Sequence, residues 1–155
     1  MNLKISPPIL LNVADFRLGY KPIDDQHAEI IHCINELYAK RFIGETGNLM
    51  PIIDRLNAHV SDHFKFEENM MRSCDYPHLE PHLKDHAKLI VDSKDLIDRF
   101  LTGEEISEEL QDFLFNMLRH HINNIDRRAV SYYLNYVEEQ EETWKSKMLK
   151  KILGD

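Results

Sequence analysis

The stretch HVSDHFKFEENMM, residues 59 to 71, carries His63 and Glu67 four positions apart among apolar residues. On a helix, that spacing puts both side chains on one face. His82 and His86 repeat it further along the chain. His27 falls on the stripe Ile23, His27, Ile31, Ile34, Tyr38, and His121 on the stripe Leu110, Leu114, Met117, His121, Ile125. One histidine facing a core is most simply a hydrogen-bonded core residue. Five on four apolar stripes, with a carboxylate among them, cannot readily satisfy one another, and each buried polar group without a partner costs roughly 2–7 kcal/mol. A metal cation removes the difficulty by taking the lone pairs directly. Imidazole and carboxylate without thiolate suit iron, zinc or manganese. Five imidazoles are too many for one ion that keeps a reactive position, so a pair of ions bridged by carboxylates is expected. Glu67 is one bridge. Asp126 is the candidate for the other, although it lies five residues after His121, about 140° further round an ideal helix, and spacing alone does not select it. His59 and His78 stand one turn before His63 and His82, while His32 and His120 lie beside inward positions. These four read as surface or supporting histidines, with His59 the best supporting residue.

Helices must hold these groups. Apolar residues recur every three or four positions over about 22–41, 48–72 and 79–101, and a fourth helical stripe begins near residue 107. Pro22 suits a helix start, the segment GETGN a loop, and Gly103 a left-handed helix end. There is no strand alternation and no internal repeat. The expectation is an all-α, up-down-up-down four-helix bundle with a di-metal centre in its core and a C-terminal helical extension. The chain reads as a single domain, 1–155, with a bundle core at about 16–127 and the extension at about 128–155. In the extension, Val130, Leu134, Val137, Trp144, Met148 and Ile152 keep a rough stripe, interrupted by the acidic run EEQEE. It is either a prolonged fourth helix or a fifth helix packed on the bundle. Its functional reading is a docking face for a protein acceptor or for self-association.

Composition narrows the partners. The 155 residues carry a net charge of -8, which disfavours nucleic acid and anionic membrane. No apolar run reaches the length of a membrane span, and MNLKISPPILLNV is a poor secretory signal. Cys33 and Cys74 lack metal-type spacing and read as free thiols of a cytoplasmic protein.

Four segments carry a resemblance to a known family: GYKPIDDQH (19 to 27), HFKFEENM (63 to 70), YPHLEPHLKDH (76 to 86) and HINNID (121 to 126). Together they resemble the hemerythrins in their single-domain bacterial form, over about Phe16 to Asp126. The resemblance implies His27, His63, His82, His86 and His121 as terminal ligands and Glu67 and Asp126 as bridging carboxylates. It implies a cofactor of two iron ions with an oxo or hydroxo bridge. One iron would hold His82, His86 and His121; the other would hold His27 and His63 and keep an open position for dioxygen. The implied function is reversible dioxygen binding for storage, transport or delivery, without enzymatic turnover. Phe64, Leu118 and Ile122 are expected as apolar walls of the oxygen pocket, and His59, where the family often has tyrosine, as a hydrogen-bond donor into it. Asn12 and Met117 stand where the family commonly has tryptophan. Two other functions compete: sensing of oxygen or redox state through a partner, and a di-iron oxidase or peroxidase. The latter class uses two Glu-x-x-His motifs, whereas this chain has only Glu29 to His32, off the ligand stripe.

Overall fold

The segment around Gly19 fixes where the first helix begins. Gly19 takes a φ of +89°, a conformation that costs glycine little. The backbone N–H groups of Leu18 and Gly19 then donate to the Asp24 carboxylate, at 2.6 and 3.1 Å. The turn is thereby tied to the first turn of the helix behind it. Just upstream, Asn12 caps a short 3₁₀ turn, Val13–Phe16, by accepting from the Ala14 N–H at 3.1 Å.

A computed structural model describes residues 10–42, 49–104 and 107–153. Helix α1 is Lys21–Phe42, α2 Met50–Ser73, α3 Leu79–Leu101 and α4 Ser107–Asn116. A π-helical segment, Met117–Asp126, and helix α5, Arg127–Leu153, complete the chain. No strand occurs among the described residues. The helices form an all-α four-helix bundle, as expected, and the first three lie within two residues of their expected bounds. The loop expected at GETGN lies outside the described residues. Gly103 ends α3 with a φ of +84°. The backbone N–H groups of Gly103 and Glu104 reach back to the carbonyls of Phe100 and Arg99, at 3.0 and 3.1 Å, which satisfies carbonyls that the helix end would otherwise orphan.

The fourth helix differs from expectation in one way: it is not α-helical throughout, and the π segment sits in its middle. Of the two forms expected for the C-terminal extension, a prolonged fourth helix or a separate fifth, the chain takes the first. Asn116 and Arg127, on either side of the π segment, both keep helical backbone angles, so α4, the π segment and α5 make one continuous rod. The C-terminal extension is therefore a prolonged fourth helix. Only its beginning packs on the bundle: Ala129 and Val130 are buried, Leu134 and Val137 half-buried, and every residue from 138 to 153 exposed.

Apolar side chains cluster in two places. The larger cluster includes Phe16, Ile31, Ile34, Leu37, Ile53, Leu56, Leu114 and Leu118. The smaller one includes Ile23, Met70, Met71, Tyr76, Ala129 and Val130. Along α1, α2 and the fourth helix, the sequence passes from one cluster to the other through the histidines and carboxylates. The bundle thus holds a polar layer between two apolar ones. Cys33 and Cys74 are free and buried, one in each apolar cluster.

Candidate metal centre

Each helix of the bundle contributes to one buried polar cluster. His27 comes from α1, His63 and Glu67 from α2, His82 and His86 from α3, and His121 and Asp126 from the π segment. All seven are at most 3% exposed. Burial this complete is exceptional for charged groups and requires compensation.

Hydrogen bonds among the seven supply little of it: His27 Nε2 and His63 Nε2 meet at 3.3 Å, and the rest fall short. His121 Nε2 and His82 Nε2 lie 3.0 and 3.2 Å from Asp126 Oδ1. His27 Nε2 and His63 Nε2 lie 3.4 and 3.8 Å from the other oxygen, Oδ2. Glu67 Oε2 has His86, His63 and His82 nitrogens at 3.3, 3.5 and 3.5 Å. The atoms are close, yet Nε2 of His82, His86 and His121 and both oxygens of Glu67 and Asp126 have no hydrogen-bond partner. Apart from the His27–His63 contact, the lone pairs converge on shared space instead of on one another.

That convergence has the geometry of two cation sites. Glu67, His82, His86, His121 and Asp126 offer ligand atoms within 4.8 Å of one another, and so do His27, His63, Glu67 and Asp126. Both carboxylates belong to both sets. Asp126 turns one oxygen toward each group of histidines, as a bridge requires. One set holds three imidazoles and the other two. The donors are oxygen and nitrogen without thiolate, a set that fits iron, zinc or manganese, and the orphaned polar atoms are what a pair of cations would satisfy.

The π segment explains how Asp126 joins. In a regular α-helix it would point about 140° away from His121. Bonding to the fifth residue instead of the fourth widens the turn, so the angular offset between residues five apart shrinks and Asp126 swings toward the face of His121. His121 Nε2 and Asp126 Oδ1 consequently meet at 3.0 Å.

Electrostatics in the metal-free site follow from the crowding. Burial and the neighbouring Asp126 push the Glu67 carboxyl up, but His63, His82 and His86 outweigh them and hold it below its ordinary value. Burial likewise opposes ionisation of Asp126, and His121, His27 and His63 overcome it, keeping that carboxyl well below the usual range. Burial pulls His82 down, yet Asp126 and Glu67 push it up to about 9. His121 is raised against its own burial by Asp126, Glu67 and Asp85.

Three further residues hold the imidazoles. Gln26 Oε1 lies 3.1 Å from His63 Nδ1, Glu68 Oε1 lies 3.3 Å from His86 Nδ1, and Asp85 Oδ2 lies 2.6 Å from His121 Nδ1. Each accepts the ring N–H and so directs Nε2 inward. The contacts run round the bundle in order, from α1 to α2, α2 to α3 and α3 to the π segment. His27 Nδ1 and His82 Nδ1 have no such partner. Sequence reasoning missed all three residues. The available signal was their position, since each directly adjoins a predicted ligand, His27, Glu67 or His86.

Apolar groups surround the layer. Phe64 stacks on His86, ring centroids 3.8 Å apart and planes at 9°, and its ring also stands 5.8 and 5.7 Å from those of His63 and His121. Leu118 and Ile122 are buried beside His121. An apolar cavity of about 60 Å³ is lined by Phe64 together with Leu56, Val60, Leu96, Phe100, Leu114 and Met117. Met117, a slender side chain where the resemblance leads one to expect tryptophan, lines that space. His59 is half-buried one turn before His63 and outside the clustered groups, while His32, His78 and His120 are exposed.

Comparison with known proteins agrees with the geometry. The family described as Hemerythrin HHE cation binding domain matches residues 18–133. A bacteriohemerythrin of Stenotrophomonas maltophilia (strain R551-3) is 31% identical over 145 residues, covering 90% of this chain and 95% of that protein. One of Pseudomonas aeruginosa (strain LESB58) is 30% identical over the same coverage. One of Methylococcus capsulatus (strain ATCC 33009 / NCIMB 11132 / Bath) is 30% identical over 115 residues, 74% of this chain and 88% of that protein. No solved structure matches significantly. With a family match across most of the chain and the buried histidine–carboxylate layer in place, this chain belongs to the hemerythrin family.

Proposed function

We propose that the chain binds dioxygen reversibly at a pair of iron ions, for storage, transport or delivery in the cytoplasm, and that it does no net chemistry on its ligand. The observation that carries this reading is the division of the donors: two sets share Glu67 and Asp126 but hold three and two imidazoles. An iron pair held there would supply a reducible centre, and the set of His27 and His63, with one imidazole fewer, is the side on which dioxygen would be received. Glu67 and Asp126 would be shared by both ions, and the surrounding histidines hold both carboxyls below their ordinary values and so anionic. Gln26, Glu68 and Asp85 fix the ring orientation of His63, His86 and His121. Phe64, Leu118 and Ile122 keep water away from the layer, which disfavours proton-assisted loss of a reduced ligand.

Catalytic turnover finds less support. A ferritin-like oxidase would draw on a second Glu-x-x-His pair in the core, but Glu29 and His32 are both exposed. Cytoplasmic residence fits two buried free thiols and the lack, among the described residues, of any helix long and apolar enough to cross a membrane.

The test is to reduce the iron-loaded protein without oxygen, record its optical spectrum, add oxygen and then remove it. A charge-transfer band that appears with oxygen and disappears on its removal, over repeated cycles, supports a carrier. Steady consumption of oxygen and reductant would replace this reading with an oxidase.

A further inference from the structure

Beyond the bundle the fourth helix runs unsupported. Residues 138 to 153 are all exposed, and at 1.5 Å per residue they span about 24 Å. Among them Trp144, Met148 and Ile152 are 61, 38 and 72% exposed. A short helix with no packing partner is marginal in water, and an apolar stripe of this size on a protein surface marks a contact site.

A line of heptad spacing runs through Trp144 and Met148, with charged residues on either side of them and Ile152 just beside it. Val130, Leu134, Val137, Glu141, Trp144, Met148 and Lys151 alternate steps of four and three, the heptad rhythm. Val130 packs on the bundle; from Glu141 onward the seam is exposed, with Glu141 in reach only of Lys145 on its own helix, at 3.9 Å. Its charges are not random. Glu138, Glu139, Glu141 and Glu142 precede Trp144, while Lys145, Lys147, Lys150 and Lys151 follow it.

We propose that this overhang is a homodimer interface in which residues 137–152 of two copies pair antiparallel as a short coiled coil. In that orientation the layers along the seam are Glu141 against the other copy's Lys151, Trp144 against Met148, and the same two layers repeated in reverse by two-fold symmetry. The apolar centre is closed at both ends by ion pairs, and the acidic half of each helix lies beside the basic half of its mate. A parallel pairing would set Glu141 against Glu141 and Lys151 against Lys151, which repels. An anionic membrane is a poorer occupant, because the four glutamates and the net charge of -8 oppose it. The seam is short for a permanent interface, so the dimer exchanges with monomer. Nothing in this contact depends on the metal centre.

Sedimentation equilibrium of the full chain tests it. The wild-type protein at sub-millimolar concentration should approach twice the 18.4 kDa chain mass, falling toward the single mass on dilution. Glu141→Lys alone and Lys151→Glu alone should each remain monomeric. The double variant Glu141→Lys/Lys151→Glu should dimerise again, because the ion pairs are restored with reversed sign only when the helices are antiparallel. Far-UV circular dichroism checks that each variant keeps its helices. A wild-type chain that stays monomeric throughout overturns the proposal, as does a dimer indifferent to Glu141→Lys. Binding of the monomer to vesicles containing phosphatidylglycerol, without self-association, would overturn it in favour of a membrane surface.

Discussion

Asp85 on α3 and His121 in the π segment are separated by 36 positions in sequence, and the Asp85 carboxylate oxygen stands 2.6 Å from His121 Nδ1. The contact holds Nε2 toward Asp126 and makes the ring a stronger donor. Asp85→Asn keeps the size and can still accept the ring N–H through its amide oxygen, but it removes the charge. Metal affinity is expected to fall about tenfold to a hundredfold, measured by competition with a chelator, while the helix content stays constant. Gln26→Glu should act in the opposite direction on the His63 side. Unchanged affinity in both would mean that these residues do not tune the ligands.

A second prediction concerns the π segment. Asp126→Ala should abolish the paired site, because one bridge is lost. In an ordinary α-helix, moving the carboxylate to the fourth residue after His121 would restore it. In this helix Ile125→Asp/Asp126→Ala should not, because the π turn aims residue 126 at the space between the two groups of histidines, while Ile125 is only partly buried. Metal analysis of purified protein decides: recovery of full metal content in the double variant would show that the π geometry is not what aims the carboxylate.

The cavity beside Phe64 gives a third. Met117→Trp fills much of its roughly 60 Å³ with little change near the ligands. Metal content should be unaffected, whereas the association rate for oxygen, followed by stopped-flow or flash photolysis, should drop severalfold. Phe64→Ala should act more severely. Removing a buried aromatic costs about 3–5 kcal/mol of stability and admits water, so the reduced protein should oxidise faster. Equal oxygen rates in wild-type and Met117→Trp protein would exclude the cavity as a path.

Metal uptake should be coupled to proton release and to folding. Metal ligands must be neutral imidazoles, yet in the metal-free site Asp126 and Glu67 hold His82 protonated up to about 9. Loading at pH 7 should therefore release at least one proton per chain, seen in a pH-stat titration. The release from His82 should fade as pH rises through about 9, where the ring is already neutral. Metal at about a thousand times its dissociation constant stabilises the folded state by about 4 kcal/mol, on the order of 10 °C in Tm for a chain this size. A chelator should reverse both effects. Uptake without proton release at pH 7 would contradict the electrostatics of the site.

Much of this arrangement is legible from sequence because helical periodicity is a strong signal. His63 with Glu67 and His82 with His86 are fixed by a spacing of four, and His27 and His121 by the stripes they interrupt. Asp126 was not legible in that way: its position depends on a change of helix type, which no periodicity assuming 3.6 residues per turn can anticipate. It entered through family resemblance, and the π segment supplies the physical reason. Gln26, Glu68 and Asp85 were missed because each acts across to a neighbouring helix, and spacing within one helix says nothing of what stands opposite. The end of the bundle was also hidden. Val137 and Trp144 follow the same stripe, but packing ceases between them, since the other helices end there.

The central claim is that a pair of ions sits between the histidines with both carboxylates bridging. A crystal structure of the iron-loaded chain, with anomalous scattering recorded on both sides of the iron edge, tests it most directly. The account predicts two iron peaks, each within coordinating distance of Glu67 and Asp126, one bound by His82, His86 and His121 and the other by His27 and His63. A single peak, or a pair from which either carboxylate is turned away, would contradict it.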